Sequence, residues 1–260
     1  MSNPDKPRRR GLLGAFAGAS TWLLAGCDRL GETTWFPKVL GLGESLSKSA
    51  HKLIGGRRSM AQEFTEADLS PSFRGNGNTN PDDEDYKEHL KTGFAEWELE
   101  IDGLVEQPSK FTLAQLKAMP ARTQITRHDC VEGWSAIGKW TGVPLASVLA
   151  AAKPKAEARY VVFHCADAFP AGMGEEKEAY YESIDMDDAY HPQTILAYGL
   201  NGQTLPVANG APLRLRVERQ LGYKHAKYVM RLELVENFDD IGGGNGGYWE
   251  DHGYQWYAGV

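Results

Sequence analysis

Strict alternation of apolar and polar residues predicts strands in the second half of the chain. The pattern is clearest at 97–101, where the residues are Trp-Glu-Leu-Glu-Ile, and it recurs at 213–217 and 228–234. Such alternation is typical of strands that bury one face. Shorter β-rich runs predict two further strands at 124–127 and 160–165.

Helical segments are predicted between these strands. Thr112 is a typical N-cap for a short helix that ends at Met119, and Leu and Ala recur on one face of 144–152. The segment 187–200 is predicted to be mostly helical, and Asn201-Gly202 then turns the chain. Strands mixed with short helices at irregular spacing indicate a mixed α+β domain rather than regular βαβ units.

The first 27 residues have the pattern of an export signal. Basic residues at 8–10 precede 14 mostly apolar residues at 12–25, a length typical of a signal peptide rather than a membrane span. Arg9-Arg10-Gly11-Leu12-Leu13 resembles a twin-arginine signal, and Leu24-Ala25-Gly26-Cys27 resembles a lipobox, whose cysteine is lipidated. A buried N-terminal helix is the alternative, but it leaves the basic start unexplained. We therefore expect a lipid anchor at Cys27.

The pattern divides the chain into three predicted regions. Residues 1–27 are the export signal with its lipobox, 28–95 a tether and irregular lead-in, and 96–260 the folded domain. The acidic run at 82–85 is interpreted as a solvated loop. The tail at 242–260 contains aromatic residues among glycines, which predicts either a cover over the domain or a lid. A cover is the favoured interpretation.

Composition excludes several classes of protein. The chain has 260 residues, of which 42% are hydrophobic and 24% charged, so it can bury a substantial core and is not wholly disordered. The body lacks an apolar run long enough for a polytopic membrane protein. The net charge is −7, and the basic residues of the signal make the remainder more acidic still. We expect no nucleic-acid partner, since that needs clustered positive charge.

Cys130 has the most reactive setting among the three cysteines of the sequence. If Cys27 is lipidated, only Cys130 and Cys165 can form a disulfide, which an exported protein tolerates. Cys130 follows a predicted strand and lies close to His128, which could act as its base. A thiol enzyme, a soft-metal site in which the thiolate is the ligand, and an inert buried cysteine therefore all remain open.

Several segments, in order and at preserved spacing, resemble the sulfite oxidase family of molybdopterin oxidoreductases. The resemblance is greatest to the branch that contains the periplasmic protein-methionine-sulfoxide reductase catalytic subunit, and it spans about 97–237. Several motifs in register are more specific than any one of them. The matching segments are CVEGWS at 130–135, WTGVPL at 140–145, ARYVVF at 158–163, HPQT at 191–194, NGAPLR at 209–214 and GYKHAK at 222–227.

The resemblance implies a mixed α+β sulfite-oxidase-like domain around one Mo-molybdopterin. Cys130 takes the place of the thiolate that ligates molybdenum. The family's cofactor contacts fall on Asn209, Arg214, His225, Ala226 and Lys227, with Cys165 where the family has threonine and Asn76 as the nearest match on the N-terminal side. Tyr223 and His128 are candidates for orienting substrate or moving a proton.

The residues themselves agree with an anionic cofactor. Arg214 and Arg216 are two apart on a predicted strand and therefore share a face, and Lys224 and Lys227 follow shortly. Such a basic cluster in an acidic protein suits the phosphate of molybdopterin. Pairing of the two arginines with carboxylates is the alternative.

These observations predict an exported oxidoreductase that transfers an oxygen atom or an electron pair on a sulfoxide or sulfite, either as a small molecule or within a peptide. No haem or iron–sulfur ligand pattern occurs in the sequence, so we expect electrons to pass through a membrane cytochrome or quinone-linked carrier. We expect a periplasmic location, tethered to the cytoplasmic membrane. The alternative function is a non-catalytic lipoprotein binding module with a degenerate cofactor pocket.

Overall fold

The computed structural model describes residues 59–170 and 177–260 together with positions 33, 35, 42–43, 46–50 and 53. The chain divides into two compact units, Met1–Ile54 and Gly55–Val260, and the second unit contains both sheets. The predicted signal and Cys27 lie outside the described residues. Within the described positions, no helix is both long enough and apolar enough to cross a bilayer.

The second unit consists of short helices between strands. In chain order its elements are α1 (Glu84–Lys91), β1 (Glu98–Gly103), β2 (Ser109–Thr112), α2 (Leu113–Ala118), β3 (Arg122–Asp129), β4 (Ser135–Pro144), α3 (Leu145–Ala152), β5 (Tyr160–Pro170), β6 (Lys177–Asp185), α4 (Met186–Ala189), β7 (Ile195–Leu200), β8 (Gln203–Thr204), β9 (Arg214–Arg216), β10 (Val229–Val235) and α5 (Tyr248–Asp251). This arrangement confirms the predicted mixed α+β class.

The first sheet is mixed and has the strand order β2-β1-β10-β5-β6. Strands β1 and β10 run parallel, with Ile101 opposite Leu232, and the other neighbours are antiparallel. Alternation in β1 is as predicted, because Leu99 and Ile101 are buried whereas Glu98 is exposed. The buried face packs in one cluster with the apolar residues of α3, which forms the main core.

The second sheet is antiparallel, with the order β3-β4-β7-β8 and β9 paired to β7. Asp129, the last residue of β3, lies opposite Ser135, the first residue of β4. The two strands therefore form a hairpin whose connection is residues 130–134. A smaller core packs around Trp140, with Phe73 from the lead-in against it. Part of the predicted lead-in thus packs on this sheet.

The prediction of a mostly helical segment at 187–200 is wrong. Only Met186–Ala189 is helical, and Ile195–Leu200 is a strand. Strand β7 pairs with β4 on one side and with β8 and β9 on the other, and five of its six residues are buried. A strand buried on both faces has no alternating pattern, so periodicity cannot distinguish it from a buried helix.

Helix starts agree more closely with the sequence pattern. Thr112 caps α2, where its hydroxyl accepts a hydrogen bond from the Gln115 backbone N–H, and α3 begins directly after Pro144. The acidic run at 82–85 is exposed but is not simply a loop. Asp83 caps α1 by accepting from the Tyr86 N–H, and the two acidic residues that follow lie in the first turn, where the helix dipole favours negative charge.

The C-terminal segment (242–260) packs back onto the domain. Its backbone pairs with the loop before β10, where the Leu221 N–H donates to the Ala258 carbonyl at 2.8 Å and the Val260 N–H donates to the Arg219 carbonyl at 3.0 Å. A β-bridge also joins Gly247 to Glu182 of β6. The segment is therefore a cover, as favoured from the sequence, and it is fixed at both ends.

Candidate active site

Cys130 lies in the tight connection between β3 and β4. Its backbone N–H donates to the Trp134 carbonyl at 2.9 Å, and the Gly133 N–H donates to the Cys130 carbonyl at 3.0 Å. Gly133 has a φ of 84°, a conformation that side chains strongly disfavour, so glycine allows the loop to close this tightly. The loop holds the Cys130 side chain 9% exposed, facing a cavity.

The thiol of Cys130 is reduced, and charged groups of both signs affect its pKa. Burial raises the pKa of Cys130, and the nearby Glu132 carboxylate adds to this, whereas Arg74 and Arg214 act in the opposite direction. Cys130 and Cys165 are both free, so the disulfide that the sequence allowed does not form. A cation bound at the sulfur would lower the pKa, because a coordinating thiol is deprotonated.

The cavity in front of Cys130, here called the Cys130 pocket, has a volume of about 160 Å³. Its lining includes both polar and aromatic side chains. Its lining comes from the lead-in, the hairpin loop, β5, β6, the loop before β10 and the C-terminal segment. The lining includes Asn76, Asn78, Cys130, Glu132, Asp167, Phe169, Tyr180, Gly222, Tyr223, His225, Lys227, Trp249 and Tyr254.

Lys227 connects the pocket to the lead-in. Its Nζ donates to the Asn76 carbonyl at 2.5 Å and also to the Asn78 carbonyl. Burial, together with the charge of Arg214, lowers the pKa of Lys227 to about 7. The Oδ1 atom of Asn76 is buried and has no hydrogen-bond partner within the described part of the chain. Asn76 and Lys227, predicted from separate motifs, are thus brought together.

Arg214 carries hydrogen-bond donors without partners. The side chain is fully buried, and its Nη1 donates to the Asn209 carbonyl at 3.0 Å. Its Nε and Nη2 have no partner within residues 59–170 and 177–260. Burial lowers the pKa of Arg214 to about 9, with Arg216 adding to the effect. Buried donors left unsatisfied are rare in native proteins and call for an explanation, of which a bound ligand is one.

Arg216 shares the face of Arg214 but has a different role. Both guanidinium groups lie over the Trp140 ring, at 5.1 Å for Arg214 and 4.4 Å for Arg216. Arg216 forms a fully buried ion pair with Glu218, with 2.5 Å between Nη2 and Oε2. The predicted shared face is therefore confirmed. Arg216 pairs with a carboxylate, which was the alternative interpretation of the sequence, whereas Arg214 has no carboxylate partner among the described residues.

Two histidines, one lining the pocket and one beside it, are held in their neutral form. Burial lowers the pKa of His128 and of His225 well below the usual value, with Arg216 as the next cause for both. His128 Nδ1 lies 2.9 Å from Arg216 Nη1, and the two imidazole rings meet edge to face. His128 does not line the pocket. A Cβ on Gly222 would lie 2.6 Å from His128 Nε2, so glycine permits this close approach.

Tyr223 lines the pocket through its ring. Its hydroxyl donates to the Gln255 carbonyl at 2.6 Å, and its own carbonyl accepts from the Tyr180 hydroxyl at 2.6 Å. Its ring lies edge to face with Tyr254 at 5.3 Å. These contacts hold Tyr223 firmly to the C-terminal segment.

The remaining predicted contacts lie at different depths. Asn209 and Ala226 are buried behind the pocket, where the Asn209 side-chain amide donates to the Phe73 carbonyl at 3.3 Å. Cys165 does not line the Cys130 pocket. It lines a second cavity of about 890 Å³ between β5, β6 and the C-terminal segment.

Lys224 does not belong to the basic cluster in which the sequence placed it. It is fully buried between two carboxylates, as its Nζ donates to Glu182 Oε1 and, at 2.6 Å, to Glu250 Oε1. The Lys224 ammonium is therefore not available to a phosphate. It ties the loop before β10 to β6 and to the C-terminal segment.

Sequence reasoning missed several lining residues. Asp167, Phe169 and Tyr180 occur on strands without a motif, and Asp167 follows a register shift between His164 and Ala168 that no local pattern reveals. Trp249 and Tyr254 belong to the aromatic tail, which the sequence did single out without indicating what it contacts.

A buried cysteine beside a pocket with a partnerless amide oxygen, in a domain that also has a buried arginine with unused donors, is typical of a protein that binds a polar, sulfur-ligated cofactor. Residues 87–240 match the family described as "Oxidoreductase molybdopterin binding domain". This match covers more than half of the chain, and the chain belongs to this family of oxidoreductase enzymes. The predicted sulfite oxidase family, its fold and its molybdopterin cofactor are thereby confirmed.

Individual relatives extend the comparison. A protein of Azospira oryzae, named as a candidate protein-methionine-sulfoxide reductase subunit YedZ1, is 46% identical over 64% of this chain and 56% of its own length. The protein-methionine-sulfoxide reductase catalytic subunit of Gluconobacter oxydans is 41% identical over 54% of this chain and 47% of its own. The chain thus spans about half the length of these curated relatives. The sulfane dehydrogenase SoxCD from Paracoccus pantotrophus is 26% identical over 55% of this chain and 39% of that one, with a TM-score of 0.48.

The residues around the pocket fit molybdopterin. Its phosphate needs donors and positive charge, which the partnerless Nε and Nη2 of Arg214 provide. A soft metal needs a sulfur ligand, which Cys130 provides. The neutral imidazole of His225, whose Nδ1 has no partner in the described ranges, suits a polar heterocycle.

Proposed function

We propose that this protein is an exported oxidoreductase that reduces a sulfoxide to a thioether. One observation carries the proposal. The buried thiol of Cys130 faces a pocket lined by aromatic rings and by three buried atoms without partners among the described residues, Asn76 Oδ1, Asp167 Oδ1 and His225 Nδ1. The names of the relatives support the same substrate class, since protein-methionine-sulfoxide reductases are among them.

Each part of the site has a task in this proposal. Cys130 would hold the metal, Arg214 and Lys227 the anionic end of the cofactor, and Asn76, Asn209 and His225 its polar edges. When bound, the cofactor supplies a metal centre that accepts an oxygen atom and exchanges electrons in pairs. The protein contributes orientation and a largely buried pocket from which most water is excluded.

The charge of the pocket favours a neutral sulfoxide over the sulfite anion. Among the described residues, the lining contains Lys227 but no arginine. Arg127 is exposed on β3 and pairs with Asp129 at 2.9 Å, and Arg219 pairs with Asp188. Glu132 adds a carboxylate to the wall. An anion would therefore be repelled by Glu132, whereas a sulfoxide brings no net charge.

The aromatic wall suits the organic part of a sulfoxide. The ring centroids of Phe169 and Trp249 lie 6.0 Å apart, and those of Trp249 and Tyr254 5.2 Å apart, so the rings form a continuous surface. Sulfur makes favourable contacts with aromatic rings, worth about 0.3–1.5 kcal/mol each. Val131 and Tyr254 are 45% and 41% exposed at the mouth, where a longer peptide has room to continue.

Electrons would come from a membrane cytochrome or quinone-linked carrier, and the enzyme would be tethered by lipid at Cys27 on the periplasmic face of the cytoplasmic membrane. The twin arginines and the lipobox of the sequence support this location. Changing Arg9 and Arg10 together to lysine should leave the precursor inside the cell. Detection of mature protein outside the membrane in that variant would refute the export route.

Molybdenum content and a substrate comparison test the proposal. Full-length protein from cells that synthesise the cofactor should contain about one molybdenum per chain, measured by plasma mass spectrometry. With a reduced viologen dye as donor, it should turn over methionine sulfoxide, and sulfite with an oxidised acceptor should give little turnover. Metal-free protein, or preference for sulfite, would overturn the proposal.

A further inference from the structure

Asp167 has a buried carboxyl that is assigned neither to cofactor binding nor to the aromatic wall. It lines the Cys130 pocket and is 3% exposed. It lies within an irregularity of β5, since the pairing with β6 shifts register between His164 and Ala168. Irregularities of this kind redirect a side chain and are common beside active sites. In β5 the register shift coincides with the position of Asp167, whose carboxyl lines the pocket.

One oxygen of the Asp167 carboxyl lacks a partner. Its Oδ1 is fully buried and has no hydrogen bond to any described residue. Lys227 does not satisfy it, because the ammonium donates to the carbonyl groups of Asn76 and Asn78. A buried carboxyl oxygen without a partner needs an explanation, since leaving it unsatisfied costs stability. A group that exchanges protons with a ligand in the pocket provides that explanation.

The surroundings of Asp167 set its proton affinity. Burial raises the pKa of Asp167 to about 7, and the charge of Lys227 opposes this. The titratable groups that face Asp167 are Tyr86 on α1, Cys165 on β5, Tyr180 on β6, and Lys227 and Tyr228 before β10. Burial raises the pKa of the tyrosines and of Cys165, so Lys227 is the cation among them.

We propose that Asp167 donates a proton to the oxygen atom that leaves the substrate in the Cys130 pocket. This inference rests on the proposed function. Reduction of a sulfoxide breaks the sulfur–oxygen bond, takes two electrons from the membrane carrier and two protons, and forms a thioether and water. Asp167 supplies one proton and regains it from solvent through the pocket mouth, and solvent supplies the other. A donor that titrates near the working pH is the most effective.

The test compares Asp167→Asn with Glu233→Gln in the holoenzyme. Glu233 is a carboxylate on β10 that contacts His164 at 2.8 Å and lines the second cavity rather than the Cys130 pocket. In the wild type, kcat for methionine sulfoxide should fall as the pH rises through about 7, because the donor loses its proton. Asp167→Asn should lower kcat about 100-fold and abolish that step, with molybdenum content and KM unchanged. Glu233→Gln should keep the wild-type profile.

Infrared spectroscopy provides a readout besides turnover. The wild-type holoenzyme should show a protonated carboxyl band that disappears between pH 6 and 8, around the pKa of about 7, and Asp167→Asn should lack it. Absence of a band titrating in that range in the wild type would overturn the proposal even if the variant fails to fold. An unchanged kcat profile in Asp167→Asn, or loss of its molybdenum, would also overturn it. Wild-type protein without molybdenum or sulfoxide turnover would instead refute the proposed function.

Discussion

Replacement of Arg214 by methionine should change cofactor retention and apoprotein stability in opposite directions. Methionine is flexible and unbranched, so it can fill much of the space of the arginine stem without its donors. The reason for opposite effects is that Arg214 is buried completely, while two of its donors have no partner in the described chain. Those donors destabilise the cofactor-free protein and become useful when the phosphate is bound.

The magnitude follows from the contacts of Arg214. Two unsatisfied buried donors cost about 2 kcal/mol each, which methionine removes. The variant loses the charged hydrogen bond to the Asn209 carbonyl, about 2 kcal/mol, and the contact with the Trp140 ring, about 1 kcal/mol. The apoprotein should therefore gain about 1 kcal/mol. The holoenzyme loses two charge-assisted hydrogen bonds, together about 3–6 kcal/mol, so the cofactor should dissociate at least 100-fold more readily.

The assay has two arms and one control. Urea unfolding of protein made without cofactor synthesis measures apoprotein stability, and molybdenum content after extended dialysis measures retention. Arg159→Met serves as the control, since Arg159 is exposed before β5 and should change neither quantity. An apoprotein variant clearly less stable than the wild type would refute the account of the unsatisfied donors. Retention equal to that of the control would refute the placement of Arg214 at the phosphate.

Three further results are expected. Cys130→Ser should lose molybdenum and turnover yet remain folded by circular dichroism, because a hard hydroxyl replaces a soft thiolate. The control Cys165→Ser should keep its metal. The reverse pattern would make Cys165 the metal ligand instead of Cys130. Glu182→Gln should become more stable than the wild type as the pH rises from 5 to 8 in urea titrations. One lysine, Lys224, cannot neutralise two carboxylates, and burial raises the pKa of Glu182 in the folded protein. The wild type therefore loses stability as the pH rises above the pKa of the unfolded state, by up to about 1.4 kcal/mol per pH unit. Parallel stability curves for variant and wild type would contradict this. Cys27→Ser should move the protein from the membrane to the soluble fraction or leave it as precursor, and unchanged fractionation would exclude the anchor.

Sequence patterns correctly predicted the strands and helices that depend only on residues nearby in the chain. The alternation of β1 and the Thr112 cap each depend on residues within one turn or strand, and both occur as expected. Strand β7 was missed because its neighbours in the sheet, not its sequence, make it a strand. The buried position of Lys224 was missed for a similar reason, since its two carboxylate partners come from β6 and from α5.

The candidate site was predictable only where a motif carries it. Cys130, His225 and Lys227 came from segments in register with a known family, and the structure brings all three to one pocket. Asp167 depends on a shift in strand pairing, and the aromatic wall depends on how the C-terminal segment packs. Both are long-range features, which neither composition nor periodicity encodes.

The C-terminal segment also determines when the pocket can be completed. Asn76 lies near the start of the described domain, and Tyr254 lies in the segment that packs last, yet both line the same pocket. Synthesis proceeds from the N-terminus, so a nascent chain that displays Cys130 and Lys227 still lacks the wall formed by Trp249 and Tyr254. The complete binding site cannot exist on the ribosome before those residues have emerged. The pocket therefore acquires its aromatic wall only after the whole domain has been translated.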